Sequence, residues 1–312
     1  MSVVRFVRLV PLLTALGVVA CSGPNSDDSN DTDDTGAGAD SDSGSADAPT
    51  TTSPGGTDDA TTDPSVDGSG GDDSSGGPLP PGVACDSQFD HEGRVGCLSE
   101  VGGLEVKFFP LAEGTRVQRL VIFFHGDTGA DWFDNWGFRP EILDWAQPQD
   151  MLVLGVKAPS SYRGDTEPSY GAAQPDHAEV VAQAIEYFAD QYEVPADRSL
   201  YWGVSGGSWF FTSSFIAVAG QRLPGIFAAN CGGSGFSFGW TWDPQTDVAT
   251  RDLNALLLNY GELDFLAENS AASYAEYMGM GFVTEQIVVP GATHCDHPIA
   301  EPTIEFWESQ LP

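Results

Sequence analysis

Positive charge is scarce in this chain. Its 312 residues hold 12 Lys and Arg against 46 Asp and Glu, a formal charge of −34. Such a surface repels phosphate backbones and anionic headgroups, which argues against nucleic acid or a charged membrane surface as partner. Long apolar runs are lacking as well. The run Leu9 to Ala20 is about a dozen residues, short of the roughly 20 that a spanning helix needs. Closely spaced metal-ligand pairs are also missing. His294-Cys295-Asp296-His297 is rich in ligand types but has no second pair, so neither a metal nor another cofactor is expected. No internal repeat is visible.

The N-terminal quarter has its own composition. Residues 1–21 read as an export signal, with Arg5 and Arg8 ahead of the short apolar run. Val18-Val19-Ala20-Cys21 is similar to a bacterial lipoprotein cleavage box, which would make Cys21 the lipidated N-terminus of a cell-envelope protein. An ordinary secretory signal with an incidental Cys21 is the alternative. Residues 22–81 contain fourteen Asp and no Lys or Arg, with Val66 and Leu79 as the only large apolar residues. Such a segment buries too little apolar surface to offset its ordering entropy, so a disordered acidic tether is expected. Residues 82–312 then form one domain, expected to be monomeric. Without the tether and signal, 32 acids remain against 10 bases, still −22.

Setting Cys21 aside, Cys85, Cys97, Cys231 and Cys295 allow three pairings. The expected pairs are Cys85–Cys97 and Cys231–Cys295. The first closes a small loop where the domain begins. The second ties the end of a strand to the loop bearing His294.

From Leu104 onward strands and helices alternate. This pattern predicts an α/β fold, a mostly parallel central sheet with helices on both faces. Strands are expected at Leu104–Phe109, Arg119–Phe124, Met151–Val156, around Ser199–Val204, at Gly225–Asn230, Leu253–Tyr260 and Gln286–Val289. One helix is expected to begin at a cap by Asp176, with Glu179 completing a capping box. Others are expected at about Gly206–Ala219, Phe265–Met278 and Glu301–Gln310.

The pentapeptide Gly203-Val204-Ser205-Gly206-Gly207 falls between a strand and a helix. A serine on such an elbow has its hydroxyl pushed above the sheet, and glycine two residues either side avoids a collision. The helix N-terminus points at Ser205, so the Gly206 N–H can serve an oxyanion. Three further loops follow strand ends. His125-Gly126-Asp127-Thr128-Gly129 can supply a second N–H, from Asp127 or else Thr128, with the Asp127 carboxylate turned away. His125 is expected to hold that loop by hydrogen bonds. Gly261-Glu262-Leu263-Asp264 carries the acid that would orient an imidazole. Asp264 is preferred to Glu262, although Asp264 could merely cap the next helix. Pro290-Gly291-Ala292-Thr293-His294 places His294 as the base, with His91, His177 and His297 as bystanders.

Ser205, Asp264 and His294 therefore occur in the order nucleophile, acid, base. With Phe124-His125-Gly126-Asp127-Thr128, the elbow, Gly261–Asp264 and Gly291–His294, the chain resembles the α/β hydrolases over about Gly102 to Leu311. More closely it is similar to secreted polyhydroxybutyrate depolymerases, feruloyl esterases and acetylxylan esterases. Some members join nucleophile and histidine through adjacent cysteines; here His294-Cys295 fits, but Val204 precedes Ser205. The resemblance implies a serine ester hydrolase acting on a small-molecule or polymer ester outside the cell. A serine peptidase on the same fold and a non-catalytic surface-binding lipoprotein are the alternatives. Phe236-Ser237-Phe238-Gly239-Trp240-Thr241-Trp242 puts an aromatic at every second position. Phe238, Trp240 and Trp242 are the candidate substrate-binding residues, with Trp132, Trp136 and Trp209 as candidates to join them. Ordinary core packing is the competing reading for this segment.

Overall fold

Continuous runs of apolar residues become the buried middle of a nine-stranded sheet. The computed structural model describes residues 82–161, 168–170, 175–195, 199–235 and 247–312. Strands β4 (Arg119–Phe124), β5 (Met151–Val156), β8 (Ser199–Val204), β9 (Gly225–Asn230) and β10 (Ala255–Gly261) are almost wholly buried. They lie side by side with β11 (Val283–Val289) in the order β5-β4-β8-β9-β10-β11, every neighbouring pair parallel. Parallel strands buried on both faces need apolar residues at successive positions, and these runs supply them.

The sheet is not purely parallel. β1 (Ser87–His91), β2 (Arg94–Val101) and β3 (Leu104–Phe109) form an antiparallel meander that joins β5 through β3. Only β3 was expected as a strand. β1 and β2 face solvent on one side, so their hydrophobic signal is diluted. Glu92 and Gly93, both at positive φ (52° and 78°), turn one into the other. The short pair β6 (Ser160–Ser161) and β7 (Pro168–Ser169) stands apart as a second sheet.

Alternate strand residues point to opposite faces and seed two cores. Leu120, Ile122 and Phe124 of β4 pack with Val181, Ile185 and Phe188 of helix α3 (Pro175–Gln191). Val121 and Phe123 pack on the other face with Ile142 and Leu143 of α2 (Pro140–Ala146) and Phe306 and Trp307 of α8 (Ala300–Gln310). Short α1 (Ala130–Phe133) precedes α2. The buried Lys107 pins that loop by donating to the Trp132 carbonyl (2.6 Å) and Asn135 Oδ1 (2.8 Å), and burial lowers its pKa to about 8.

Several element boundaries differ from expectation; β11, for example, begins at Val283 rather than Gln286. α3 already begins at Pro175, which places Asp176 inside its first turn rather than at the cap. The expected helix from Gly206 to Ala219 is α4 (Gly206–Phe210), a π turn over Phe211–Phe215 and α5 (Ile216–Ala219). Thr212 Oγ1 and Ser214 Oγ reach back to the Ser208 and Phe210 carbonyls at 2.8 and 3.0 Å, which supports the widened turn. Leu253 ends helix α6 (Val248–Leu253) instead of opening β10. α7 (Ala267–Met280) occupies the expected place between β10 and β11.

Both cysteine pairs are bonded as expected, Cys85 to Cys97 and Cys231 to Cys295. The first ties β2 to the segment leading into β1 across 12 residues. Replacing Cys85 and Cys97 by Ser should lower the unfolding free energy by about 2–3 kcal/mol, the loop-closure entropy returned to the unfolded chain. Urea melts would measure this. An unchanged midpoint would mean that the meander contributes its stability without the bridge.

Candidate active site

Ser205 links the last residue of β8 to the first of α4 with φ 51° and ψ −113°, a conformation that L-residues rarely adopt. Its flanking glycines are forced by space. A Cβ on Gly203 would lie 2.7 Å from the Phe211 ring and from the Ser208 nitrogen. On Gly207 it would lie 2.2 Å from the Phe124 carbonyl oxygen. Asn230 at the end of β9 holds the elbow. Its carbonyl accepts the Ser205 N–H and the Ser208 hydroxyl, both at 2.9 Å. Its side chain donates to Thr303 Oγ1 of α8 at 3.2 Å and accepts from Asn259 Nδ2 of β10 at 2.9 Å. Asn259 Nδ2 also donates to the Pro298 carbonyl at 3.0 Å. Neither asparagine was singled out in the sequence. An amide inside an otherwise apolar strand was the available signal.

His294 sits two loops away and meets Ser205 directly. Its Nε2 is 3.0 Å from Ser205 Oγ, and its Nδ1 is 2.9 and 3.0 Å from the two Asp264 oxygens. Nδ1–H donates to the carboxylate, which leaves Nε2 as acceptor for the serine hydroxyl. The Asp264 side chain is fully buried, and Oδ1 also accepts the Leu266 N–H at 2.8 Å. Glu262, the rival carboxylate, is exposed and accepts the Gly291 N–H at 2.9 Å instead. The two loops are laced together by Glu262 N–H to the Val289 carbonyl and Leu263 N–H to the Ala292 carbonyl, both 2.9 Å. Cys231, next to Asn230, is bonded to Cys295, next to His294.

The remaining four of the five histidines all face backbone carbonyls. His91 pairs with Phe138 and His177 with Tyr170, each at 2.6 Å, and His297 lies 3.4 Å from the Asn259 carbonyl. His125 is fully buried. Its Nε2 accepts the Ala158 N–H at 2.9 Å, so Nδ1–H must donate to the Gly126 carbonyl at 2.6 Å. Burial lowers its pKa to about 4 and keeps the ring neutral.

The backbones of the expected oxyanion donors lie close together. A Cβ on Gly206 would lie 2.8 Å from the Asp127 nitrogen, so the two backbones are in contact. Gly206 is the first residue of α4, and its N–H has no carbonyl four residues back within the helix to bond. The Asp127 carboxylate accepts the Ser169 hydroxyl at 2.6 Å but stays beside Gly206, nearer than expected. Asp131 fixes the same loop by accepting the Gly126 N–H at 2.8 Å.

A cleft of about 870 Å³ opens at Ser205 and His294. Across it stand Asp131, Trp136, Arg139 and Glu141, none of them first-choice candidates from the sequence. The Arg139 guanidinium stacks 3.5 Å from the Trp136 ring centroid. A second cavity of about 490 Å³, beside the Cys85–Cys97 bridge, shares no residue with this cleft. Trp132 does not join the cleft; it is buried in the core against Lys107. The expected platform residues Phe238, Trp240 and Trp242 lie outside the described residues. Among the described residues there is no cluster of ligand-type side chains suited to a metal ion.

Burial raises the Asp131 pKa to about 6, against an ordinary 3.8. The folded state therefore holds this proton more tightly than the unfolded chain. The carboxyl's contribution is full below its ordinary value and is lost as pH rises through about 6. His125 slopes the other way, losing stability as pH falls from 6.5 toward 4. Asp131→Asn should consequently be more favourable at pH 7 than at pH 4, by on the order of 2–3 kcal/mol. Urea melts of variant and wild type at both pH values would show it. Equal differences at the two pH values would mean that Asp131 ionises freely.

No protein-family model and no curated protein matches the chain. Solved structures do. Esterase PE8 is 17% identical, with a TM-score of 0.48 over 69% of this chain and 99% of that one. The Bacillus cereus carboxylesterase is 11% identical, with a TM-score of 0.48 over 67% and 95%. A putative dipeptidyl aminopeptidase IV from Bacteroides ovatus is 10% identical, with a TM-score of 0.50 over 76% of this chain and 36% of that one. At these identities the likeness concerns the fold alone. The mostly parallel sheet, the strained elbow after β8, and the Asp264 and His294 loops after β10 and β11 give this chain the α/β-hydrolase fold.

Proposed function

We propose that the protein is a serine hydrolase of the carboxylesterase type, with Ser205, His294 and Asp264 as its catalytic triad. The observation that carries this reading is the unbroken relay from Asp264 through His294 to Ser205, at 2.9 and 3.0 Å. His294 Nε2 takes the hydroxyl proton as Ser205 Oγ attacks an ester carbonyl. Asp264 fixes the tautomer and stabilises the imidazolium. The Gly206 and Asp127 N–H groups receive the oxyanion. The imidazolium then protonates the departing alcohol, and water repeats the sequence on the acyl-enzyme to release the acid.

The natural ester is proposed to be extracellular, a polyhydroxyalkanoate oligomer or a feruloyl or acetyl ester of plant polysaccharide. Two disulfides favour an oxidising compartment. Among the described residues no helix is long and apolar enough to cross a membrane. Attachment through a lipid on Cys21, with residues 22–81 as spacer, completes the proposal.

Ser205→Ala and His294→Ala should each lower kcat/KM on short aryl esters by at least about a thousandfold. Neither side chain is part of the two cores, so thermal midpoints should stay near wild type. Full activity in both variants would reject the triad. Turnover of a peptide amide without ester turnover would assign a peptidase instead.

A further inference from the structure

Two of the most exposed apolar side chains flank the buried Asp264. Leu263 is 63% exposed and Phe265 73% exposed, while the carboxylate between them faces inward. Phe265 does not simply stand in solvent. Its ring centroid lies 4.3 Å from that of His294, at a tilt of 41°. It therefore covers one face of the imidazole and leaves the Nε2 edge open to Ser205. A polar side chain would satisfy a solvent-facing loop equally well. An exposed aromatic ring held beside the general base offers an apolar surface to a substrate group that comes to His294.

Given the hydrolase reading above, the chemistry locates that partner. In the step that breaks the bond between the acyl carbon and the alcohol oxygen, the proton on Nε2 passes to that oxygen. The acyl group stays on Ser205 Oγ. The leaving oxygen must come within about 3 Å of Nε2. Its substituent then lies beside the imidazole, within reach of the ring that covers it. The acyl carbon is held at the other end of this line, between Ser205 and the Gly206 and Asp127 amides. Glu92, Asp127, Asp134 and Glu141 line the cleft at Ser205 and His294, where they outnumber Arg139 and disfavour an anionic alcohol. We propose that Phe265 forms the leaving-group site and selects esters of neutral apolar alcohols.

Butyrate esters of methanol, hexanol and benzyl alcohol test this with the full-length protein, because all three give the same acyl-enzyme. In Phe265→Ala, the benzyl-to-methyl and hexyl-to-methyl ratios of kcat/KM should fall about tenfold, the discrimination typical of a lost apolar contact. Phe265→Leu should fall between the two. Unchanged ratios in both variants, with or without a general loss of rate, would overturn the assignment and leave the ring as packing for His294. If the wild type hydrolyses none of the three in a Ser205-dependent way, the hydrolase reading itself fails, and this one with it.

Discussion

One carbonyl, that of Asn230, carries the geometry on which the rest of the site depends. Ser205 cannot hold φ 51° on local preference, since a non-glycine residue there is strained. The Asn230 oxygen receives both the Ser205 N–H and the Ser208 hydroxyl and fixes each side of the turn. Asn230 is in turn fixed by Asn259 and Thr303, from the neighbouring strand and the last helix. These bonds clamp the elbow from β9, β10 and α8 together. One acceptor of the network, Asn259 Oδ1, is buried with no hydrogen-bond partner among the described residues.

The loop on the other side of Ser205 is built by a different principle. It is held by buried groups that would rather be uncharged. His125 bonds two backbone groups and stays neutral, and Asp131 sits beside it with its pKa raised. Lys107, partly desolvated, props the following turn through the Trp132 carbonyl. In a chain so short of bases, Arg139 lines the cleft, stacked on Trp136. Its charge moderates Asp131 and Glu141 beside it.

Much of this was legible in the sequence because it follows from local chemistry. Apolar runs such as Arg119–Phe124 and Met151–Val156 can be satisfied only in the middle of a sheet. The glycines around Ser205 are legible from the elbow motif, although the atoms that forbid a side chain at Gly207 belong to β4 and the loop after it. The half-exposed strands β1 and β2 were not legible, since Ser87–His91 alternates weakly and Glu92-Gly93 is a modest turn signal. The break in the elbow helix was hidden because Thr212 and Ser214 compete for carbonyls in a way that composition does not reveal. The bonding of Glu262 to Gly291, and of Asp264 to His294, depends on the register of two loops that only the folded chain brings together. Asn230 and Asn259 were passed over because an amide in a buried strand has no meaning until its partners, 73 and 39 residues away at Thr303 and Pro298, are in place.

The bridge between Cys231 and Cys295 has a mechanical meaning beyond positioning. Its 64-residue span encloses α6, β10, α7 and β11, and with them both Asp264 and His294. Two of the three proposed triad groups thus lie inside a covalent ring that begins one residue after the anchor of the third. A single peptide-bond cleavage anywhere within that ring leaves the two new ends tethered. The helices and strands that present Asp264 and His294 would remain attached to the elbow. In surroundings rich in proteases, this design confines a nick to a local event where an open chain would lose the C-terminal half of its site.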